Sequence, residues 1–189
     1  VEAARNLFAA GKPIAGTQAE KYLRHRGIDT SRIDSRSLRF HPRCHYRESD
    51  DAALRAFPAL LAAVTDNQGR LTGVHRTWLD PNDAAQKAPL PSSRKAMGEL
   101  LGNGVRFGFG SEPSPVIAAG EGLESILSVL TVVPTIPMIA TLSANHLAAL
   151  ILPEGIVRLY IVVDADPAGR RGAGQLRQRA LAQGVEVFT

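Results

Sequence analysis

Short apolar segments alternate with segments of helical spacing along the chain from Pro115 onward. The apolar segments PVIAAGE, IPMIAT, VRLYIVVD and VEVF predict strands. The segments between them, GLESILSVLTVV, SANHLAALIL and AGRRGAGQLRQRALAQG, predict helices, with Ser143 beginning the second and Gly184 ending the third. Strands and helices that alternate with short connections predict right-handed crossovers and a mainly parallel sheet covered by helices on both faces.

The first half of the chain has a different pattern. GTQAEKYLRHRGI predicts a helix from about Gln18 to Arg26, capped by reciprocal hydrogen bonds of Thr17 and Glu20 and ended by Gly27 in a left-handed conformation. ALLAAVTDNQGRLTGVHRTWL places two apolar runs around the polar turn DNQG, which predicts a β-hairpin. Residues 80–103 are rich in Pro, Ser, Asn and Gly, and they predict an ordered loop with one helical turn before GVRFGF returns to strand.

The segment SEPSP separates the two patterns and marks the predicted domain boundary. Residues 1–112 are predicted to form a smaller basic α+β subdomain, and residues 113–189 are predicted to form the α/β subdomain. Residues 1–110 hold 17 Lys and Arg against 11 Asp and Glu, a balance of +6, whereas residues 111–189 hold 5 against 7, a balance of −2. The basic part suits a polyanionic partner, and the acidic part suits cations.

The composition is that of an ordinary globular protein, with 44% hydrophobic and 21% charged residues. No apolar run is long enough to span a bilayer, so no membrane partner is expected. The single cysteine, Cys44, excludes an internal disulfide, and with no signal peptide at the start we expect a cytoplasmic protein. Because the sequence opens at Val1 without a Met and ends in the strand-like VEVFT, we also expect it to be part of a longer polypeptide.

Acidic residues follow two of the predicted parallel strands. Glu121 follows VIAAG, and Asp164 and Asp166 follow LYIVV. If the two strands are neighbours in the sheet, their carboxyl ends bring the three carboxylates to one rim. No lysine lies between Glu121 and Asp166 to neutralise this charge, so the pattern predicts a hard divalent cation such as Mg²⁺. The alternative is a solvated loop between strand and helix.

The residues after the aspartate pair fit phosphate chemistry. Pro167 is suited to the first turn of a helix, and Gly169 permits a close approach of the backbone. The helix N-terminus offers amide groups to a phosphate, with Arg170 and Arg171 nearby. Carboxylates, a metal ion and a phosphate site together indicate phosphoryl transfer.

These motifs carry a family resemblance. VIAAGEGLESIL, TLSANHLAAL and LYIVVDADPAGRRGA resemble the Toprim domain of bacterial-type primases, topoisomerases and certain nucleases, over residues 115–189. The resemblance implies that Glu121 is the catalytic glutamate and that Asp164 and Asp166 are the catalytic, metal-binding aspartates. Bacterial-type primases usually carry an aspartate four residues after that glutamate. Here Ser125 takes that place, and Glu124 is the further candidate metal ligand.

The basic part also resembles primases. GVHRTWLDPNDAAQKAPLPSSRKAMGELLG is similar to the segment that precedes Toprim in the RNA-polymerase core of bacterial-type primases, and GTQAEKYLRHRGI with HRT resembles the primase-like proteins of phages, plasmids and integrated elements. The likeness implies that Arg76, Lys87 and Lys95 hold template or nucleotide phosphates. In a strand, Arg76 and Trp78 share one face, so Trp78 either stacks on a base or belongs to the core, and we favour the core.

The resemblances imply the catalytic core of a DNA primase that uses Mg²⁺ or Mn²⁺. Its expected partners are a single-stranded DNA template, ribonucleoside triphosphates and a helicase domain or protein, with Gly169 and Arg170 at the nucleotide. One alternative is a Toprim nuclease, since Tyr22, Tyr46 and Tyr160 have no context typical of a topoisomerase nucleophile. The other is a non-catalytic module that binds nucleic acid in a replication complex.

Overall fold

A computed structural model describes residues 1–33, 36–110 and 113–189. Its helices are α1 (Glu2–Ala10), α2 (Gln18–His25), α3 (Leu123–Val132), α4 (Ala144–Ala149) and α5 (Pro167–Ala182), with a short 3₁₀ helix at Thr30–Arg32. Its strands are β1 (Leu38–Tyr46), β2 (Arg55–Thr65), β3 (Leu71–Trp78), β4 (Arg94–Gly98), β5 (Val105–Phe107), β6 (Val116–Gly120), β7 (Met138–Ala140), β8 (Arg158–Val162) and β9 (Glu186–Phe188).

Strands β1 to β4 form an antiparallel sheet in sequential order. The predicted hairpin is its β2–β3 pair, and Gly69 adopts a φ of 73° in the turn between them. The Asp66 carboxylate accepts hydrogen bonds from the amides of Gln68 and Arg70 and closes this turn. Helix α1, which the pattern analysis did not predict, buries Ala4 and Phe8 in the apolar cluster that also holds Trp78.

The prediction that residues 80–103 form a loop was wrong for β4. This strand pairs with β3 along the edge of the antiparallel sheet. None of its five residues is buried, so it has no apolar face that a hydrophobic pattern could reveal. Backbone hydrogen bonds to β3 hold it instead.

The α2 helix was predicted correctly, but its cap differs from the prediction. The Thr17 hydroxyl donates to the carbonyl oxygen of Ile14 at 2.5 Å and caps no helical amide. The Glu20 carboxylate reaches back and accepts from the amide of Gly16 at 2.7 Å. Gly27 has a φ of 73°, as the sequence predicted for the residue that ends this segment.

The second sheet has the strand order β5-β7-β6-β8-β9. Strands β6, β7, β8 and β9 pair in parallel, and β5 runs antiparallel to β7 at one edge. The predicted α/β fold with a mainly parallel sheet and flanking helices, preceded by an α+β subdomain, is therefore confirmed. Strands β6 and β8 are neighbours, with Gly120 paired to Val162, so the strands that precede the acidic residues end side by side.

The predicted boundary between residues 112 and 113 stays a prediction, because residues 111 and 112 lie outside the described part of the chain. Strand β5 precedes that boundary but joins the parallel sheet. One apolar cluster also crosses between the sheets, with Leu38 and Leu60 of the antiparallel sheet packed in the same core as Ile126 and Met138. This shared core packs the antiparallel sheet against the part of the chain that forms the parallel sheet.

Within the described ranges, no helix combines the length and the apolar character that crossing a membrane requires.

Candidate active site

Glu121, Asp164 and Asp166 line one cavity at the carboxyl ends of β6 and β8. Glu121 directly follows β6, and the two aspartates follow β8, its parallel neighbour. The cavity has a volume of about 190 Å³, and His75 and Arg94 of the antiparallel sheet also line it. The structure thus brings together the three carboxylates that the sequence placed at one rim.

The environment of Glu121 opposes its negative charge. Burial raises the pKa of its carboxyl group, and the charges of Asp164 and Asp166 raise it further, against smaller opposing effects of the Ala144 amide and of Arg94. Its Oε2 atom is buried and has no hydrogen-bond partner in the part of the chain that the structure describes. A buried carboxylate oxygen without a donor, beside two other carboxylates, is a position that a cation would stabilise.

Asp164 is held tightly by its surroundings. The hydroxyl group of Ser125 donates to its Oδ1 at 3.1 Å. A Cβ atom on Gly169 would lie 2.8 Å from the carbonyl oxygen of Asp164, so only glycine fits there without a shift of the loop. Ser125 stands where bacterial-type primases usually carry an aspartate, and here it orients the metal-binding candidate Asp164.

Asp166 also has a structural role. It is the N-cap residue of α5, and its Oδ1 accepts a hydrogen bond from the amide of Gly169 at 2.7 Å. Arg170 donates to the carbonyl oxygen of Ala165 at 2.5 Å and so folds over the same loop. The solvated-loop interpretation therefore accounts for part of Asp166, whereas it does not account for the buried oxygen of Glu121.

The donor set fits a divalent cation that is held only in part by protein. Across residues 1–33, 36–110 and 113–189, no three His, Cys, Asp or Glu side chains converge closely enough to hold an ion by themselves. Mg²⁺ characteristically keeps several waters and takes one or two carboxylates together with substrate phosphate oxygens. Glu121 with Asp164 or Asp166 supplies such a set, and the Oε2 of Glu121, which accepts no hydrogen bond from the described residues, can serve as a ligand.

Glu124 contacts Tyr22 of α2 and Lys87, and it is not among the residues that line the acidic cavity. Its Oε1 accepts a hydrogen bond from the Tyr22 hydroxyl at 2.7 Å and lies 3.2 Å from the Nζ of Lys87. Burial by itself would raise the pKa of Glu124, but the hydrogen bond from Tyr22 and the charge of Lys87 lower it to about 2. This geometry gives no support to the prediction that Glu124 holds a metal ion; Glu124 joins α3 to α2 and to the segment between β3 and β4 instead.

The cations predicted to bind phosphate are largely engaged by the protein. Lys87 pairs with Glu124, as described above. Lys95 donates to the carbonyl oxygens of Arg47 and Glu48 at 2.7 and 3.0 Å and lies 5.1 Å from the centre of the Tyr46 ring. Their assignment to template or nucleotide phosphates stays a prediction.

Arg76 and Trp78 share one face of β3, as the alternation predicted. The guanidinium of Arg76 lies 4.9 Å from the centre of the Trp78 ring, and burial lowers the pKa of Arg76. Trp78 is fully buried and donates its indole N–H to the carbonyl oxygen of Cys44. The interpretation of Trp78 as a core residue is therefore confirmed, and base stacking on it is excluded in this conformation.

The sequence analysis missed His75 and Arg94. Both line the acidic cavity, and both also line a second, larger cavity of about 440 Å³ that extends along β4 toward His146. Burial lowers the pKa of His75 to about 4, so its imidazole is neutral near pH 7. Alternation along β3 could have placed His75 on the face opposite Arg76, but β4 has no pattern that would have revealed Arg94.

Two family models match the sequence. A model described as a domain of unknown function (DUF7146) matches residues 1–107, more than half of the chain, and a model described as a Toprim domain matches residues 116–189. The predicted Toprim resemblance is therefore confirmed. No curated protein matches the sequence.

Solved structures of primase catalytic domains have the same fold. A DNA primase domain from Pseudomonas aeruginosa superimposes with a TM-score of 0.64 at 17% identity, over 98% of this chain and 68% of that one. The DnaG primase catalytic domain bound to ssDNA gives 0.60 at 17% identity, over 98% and 68%. The primase fragment of the bacteriophage T7 primase-helicase protein gives 0.58 at 15% identity, over 87% and 62%. At such identities the likeness is one of fold.

Proposed function

We propose that the chain, which belongs to the DUF7146 family and carries a Toprim domain, is the catalytic core of a DNA primase. It would synthesise short RNA primers on a single-stranded DNA template by metal-dependent nucleotidyl transfer. We further propose that it is of the mobile-element type, which its sequence resemblance to primase-like proteins of phages, plasmids and integrated elements supports, and that it acts in the cytoplasm.

One observation carries the proposal: Glu121, Asp164 and Asp166 share a cavity that faces the basic antiparallel sheet. The carboxylates come from neighbouring parallel strands, and His75 and Arg94 come from the opposite sheet. A site with carboxylates on one wall and cationic or neutral donors on the other can hold a metal-bound triphosphate between them. The likeness in fold to primase catalytic domains also supports the proposed primase function.

In the proposed reaction, the 3′-hydroxyl of one nucleotide attacks the α-phosphate of the next, and pyrophosphate leaves. Mg²⁺ or Mn²⁺ at the carboxylates would supply positive charge to the triphosphate and to the leaving pyrophosphate. Asp164 is oriented for this contact by Ser125. Glu121 either holds the ion or accepts the proton of the attacking hydroxyl, and its raised pKa suits both roles because each relieves its unfavourable charge.

The proposed partners follow from charge and fold. The balance of +6 over residues 1–110 suits a nucleic-acid backbone. One structural neighbour is a primase domain bound to ssDNA, and another is part of a primase-helicase protein. We therefore propose a single-stranded DNA template, ribonucleoside triphosphates and a helicase domain or protein as partners, with Gly169 and Arg170 near the nucleotide.

Template-dependent dinucleotide synthesis with Mn²⁺ tests the proposal. We expect the native chain to form the dinucleotide and Glu121→Gln to lower the rate by a factor on the order of 1,000, equivalent to about 4 kcal/mol of lost transition-state stabilisation. Glu154→Gln is the matched control, because Glu154 is an exposed carboxylate that does not line the cavity. Nicking of DNA without synthesis would replace the proposal with a nuclease, and binding without either activity would replace it with a non-catalytic module.

A further inference from the structure

Two cavities meet between the sheets and form one cleft. The acidic cavity of about 190 Å³ and the larger cavity of about 440 Å³ share His75, Arg94 and Leu142 in their walls. Pockets for small organic ligands usually have volumes of about 300–1,000 Å³. The larger cavity is in that range and the acidic cavity is below it, so the two suit different parts of one ligand.

The larger cavity has a polar lining and lacks the carboxylates of its neighbour. Ser92, Ser93, Arg94 and His146 contribute to its walls, and no Asp or Glu does. The Nδ1 atom of His146 is buried and has no hydrogen-bond partner among the residues described. Hydroxyl and imidazole groups can form hydrogen bonds with the hydroxyls of a sugar and with the edge of a base. A cavity lined only by carbon atoms would offer a nucleoside no such hydrogen bonds.

Arg94 stands at the junction of the two cavities. It is exposed at the start of β4, and its guanidinium makes no hydrogen bond or ion pair with any part of the chain that the structure describes. Lys87 and Lys95, by contrast, are engaged by Glu124 and by backbone carbonyl groups. Arg94 is therefore the cation of this cleft that is available to a ligand.

Arg94 faces the carboxylates of the acidic cavity. Its side chain lines the same cavity as Glu121, Asp164 and Asp166. Because the Arg94 guanidinium forms no ion pair with these carboxylates, a ligand between them can contact the guanidinium on one side and the carboxylates on the other. A phosphate with its metal ion is such a group, since the ion binds the carboxylates and the planar guanidinium binds phosphate oxygens in a bidentate manner.

We propose that one nucleoside triphosphate lies across both cavities, with its nucleoside in the larger cavity and its triphosphate at Arg94, next to Glu121. This assignment rests on the proposed primase function for the identity of the nucleotide. It makes Arg94 the main phosphate-binding side chain of the site and His146 a contact of the nucleoside. Lys87 and Lys95 then act chiefly through the scaffold.

Equilibrium binding of ATP and GTP, each with Mg²⁺, tests this assignment on the whole chain. We expect Arg94→Ala to raise the Kd about tenfold or more, because a charge-assisted contact to phosphate is lost. Arg94→Lys should recover part of the affinity, since it keeps the charge without the bidentate geometry. Arg177→Ala is the matched control: Arg177 is exposed on α5 and lines neither cavity. Melting curves of every variant verify that it is folded.

Inorganic triphosphate with Mg²⁺ separates the two halves of the ligand. Arg94→Ala should weaken both inorganic triphosphate and nucleotides, whereas His146→Ala should weaken nucleotides alone. Affinity for single-stranded DNA should stay within about twofold in both variants. The assignment is overturned if the native chain binds no nucleotide, if Arg94→Ala binds nucleotides as the native chain does, or if its loss falls on DNA instead.

The same variants separate this inference from the proposed function. If the native chain synthesises primers and Arg94→Ala keeps the native KM for nucleotides, the assignment of Arg94 is wrong and the primase function stands. If the native chain synthesises nothing but binds nucleotides in an Arg94-dependent manner, the binding site stands and the primase function fails.

Discussion

Charged residues have different surroundings in the two sheets. In the antiparallel sheet and its loops, three of them have partners within the protein: Asp66 pairs with Arg70, Lys87 with Glu124, and Lys95 with backbone carbonyl groups. At the carboxyl end of the parallel sheet, Glu121, Asp164 and Asp166 line one cavity, and burial together with the charges of the two aspartates raises the pKa of Glu121. The first arrangement stabilises the fold, and the second has a cost that folding does not explain.

The difference separates structural charges from candidate functional ones. A cationic side chain is not by itself evidence of a phosphate-binding site. Lys87 and Lys95 are both cationic, but Lys87 pairs with Glu124 and Lys95 donates to a backbone carbonyl oxygen. Unfavourable or unpaired charge beside a cavity is the better indicator, and it selects Glu121, Asp164 and Arg94.

The largest effect on stability is expected from Gly169→Ala. Its Cβ would lie 2.8 Å from the carbonyl oxygen of Asp164, so the loop that carries the aspartates must shift, at a cost of about 3 kcal/mol. Gly174→Ala is the control on the same helix, because a Cβ atom on Gly174 would meet no heavy atom within 4 Å. We expect this variant to be more stable than the native chain by up to about 1 kcal/mol, since alanine favours the helix. Chemical denaturation measures both. Equal stability of the two variants would show that the loop around Asp164 is not tightly built.

Glu124→Gln tests the ion pair with Lys87, which joins α3 to the segment between β3 and β4. The pKa of Glu124 is lowered from 4.5 to about 2, so its ionised form stabilises the fold above pH 4.5, and this contribution is lost as the pH falls toward 2. We expect the variant to be less stable by about 2 kcal/mol at pH 7 and the difference to shrink between pH 4.5 and 2. Unfolding of both proteins by urea across this range measures it. A difference that does not change with pH would contradict the ion pair.

The smallest effect, and one of opposite sign, is expected from Glu121→Gln without metal. Because the pKa of Glu121 is raised, its ionised form is disfavoured in the folded protein, and this cost is present at neutral pH and vanishes as the pH falls below the pKa of the unfolded chain. Solvent screens a carboxyl that is only partly buried, so we expect Tm to rise by only about 2 °C at pH 7. Mn²⁺ should then stabilise the native chain but not the variant. A lower Tm for the metal-free variant would show that Glu121 is a structural residue.

The sequence was most informative for the parallel sheet. Its inner strands β6 and β7 are mostly buried runs between recognisable helices. The placement of Glu121 beside the aspartates could therefore be predicted on the condition that β6 and β8 are neighbours, and the structure meets this condition. The turn at Gly69 and the left-handed Gly27 could also be predicted, because each depends on a local backbone preference. In these cases the physical cause lies within a few residues or in a regular repeat.

The rest depended on contacts between distant segments. Strand β4 is held by backbone pairing with β3 at the edge of the sheet, and none of its residues is buried. Its sequence therefore predicted a loop, and Arg94 could not be placed on a strand beside the cavity. The partner of Glu124 is Tyr22, 102 positions earlier in the chain, and only the packing of α2 against α3 brings them together. The resemblance to primases suggested Glu124 as a metal ligand and Lys87 as a phosphate ligand, because a likeness in sequence cannot reveal that the two side chains pair with each other.

Crystals soaked in Mn²⁺ show whether the acidic cavity binds a divalent cation, because anomalous scattering locates the ion without any assumption about activity. We expect a peak in the acidic cavity at about 2.0–2.3 Å from carboxylate oxygens of Glu121 and of Asp164 or Asp166. The peak should disappear in Asp164→Asn. Crystals of the native chain in which this cavity binds no Mn²⁺, or in which the ion binds at Glu124 instead, would contradict this expectation.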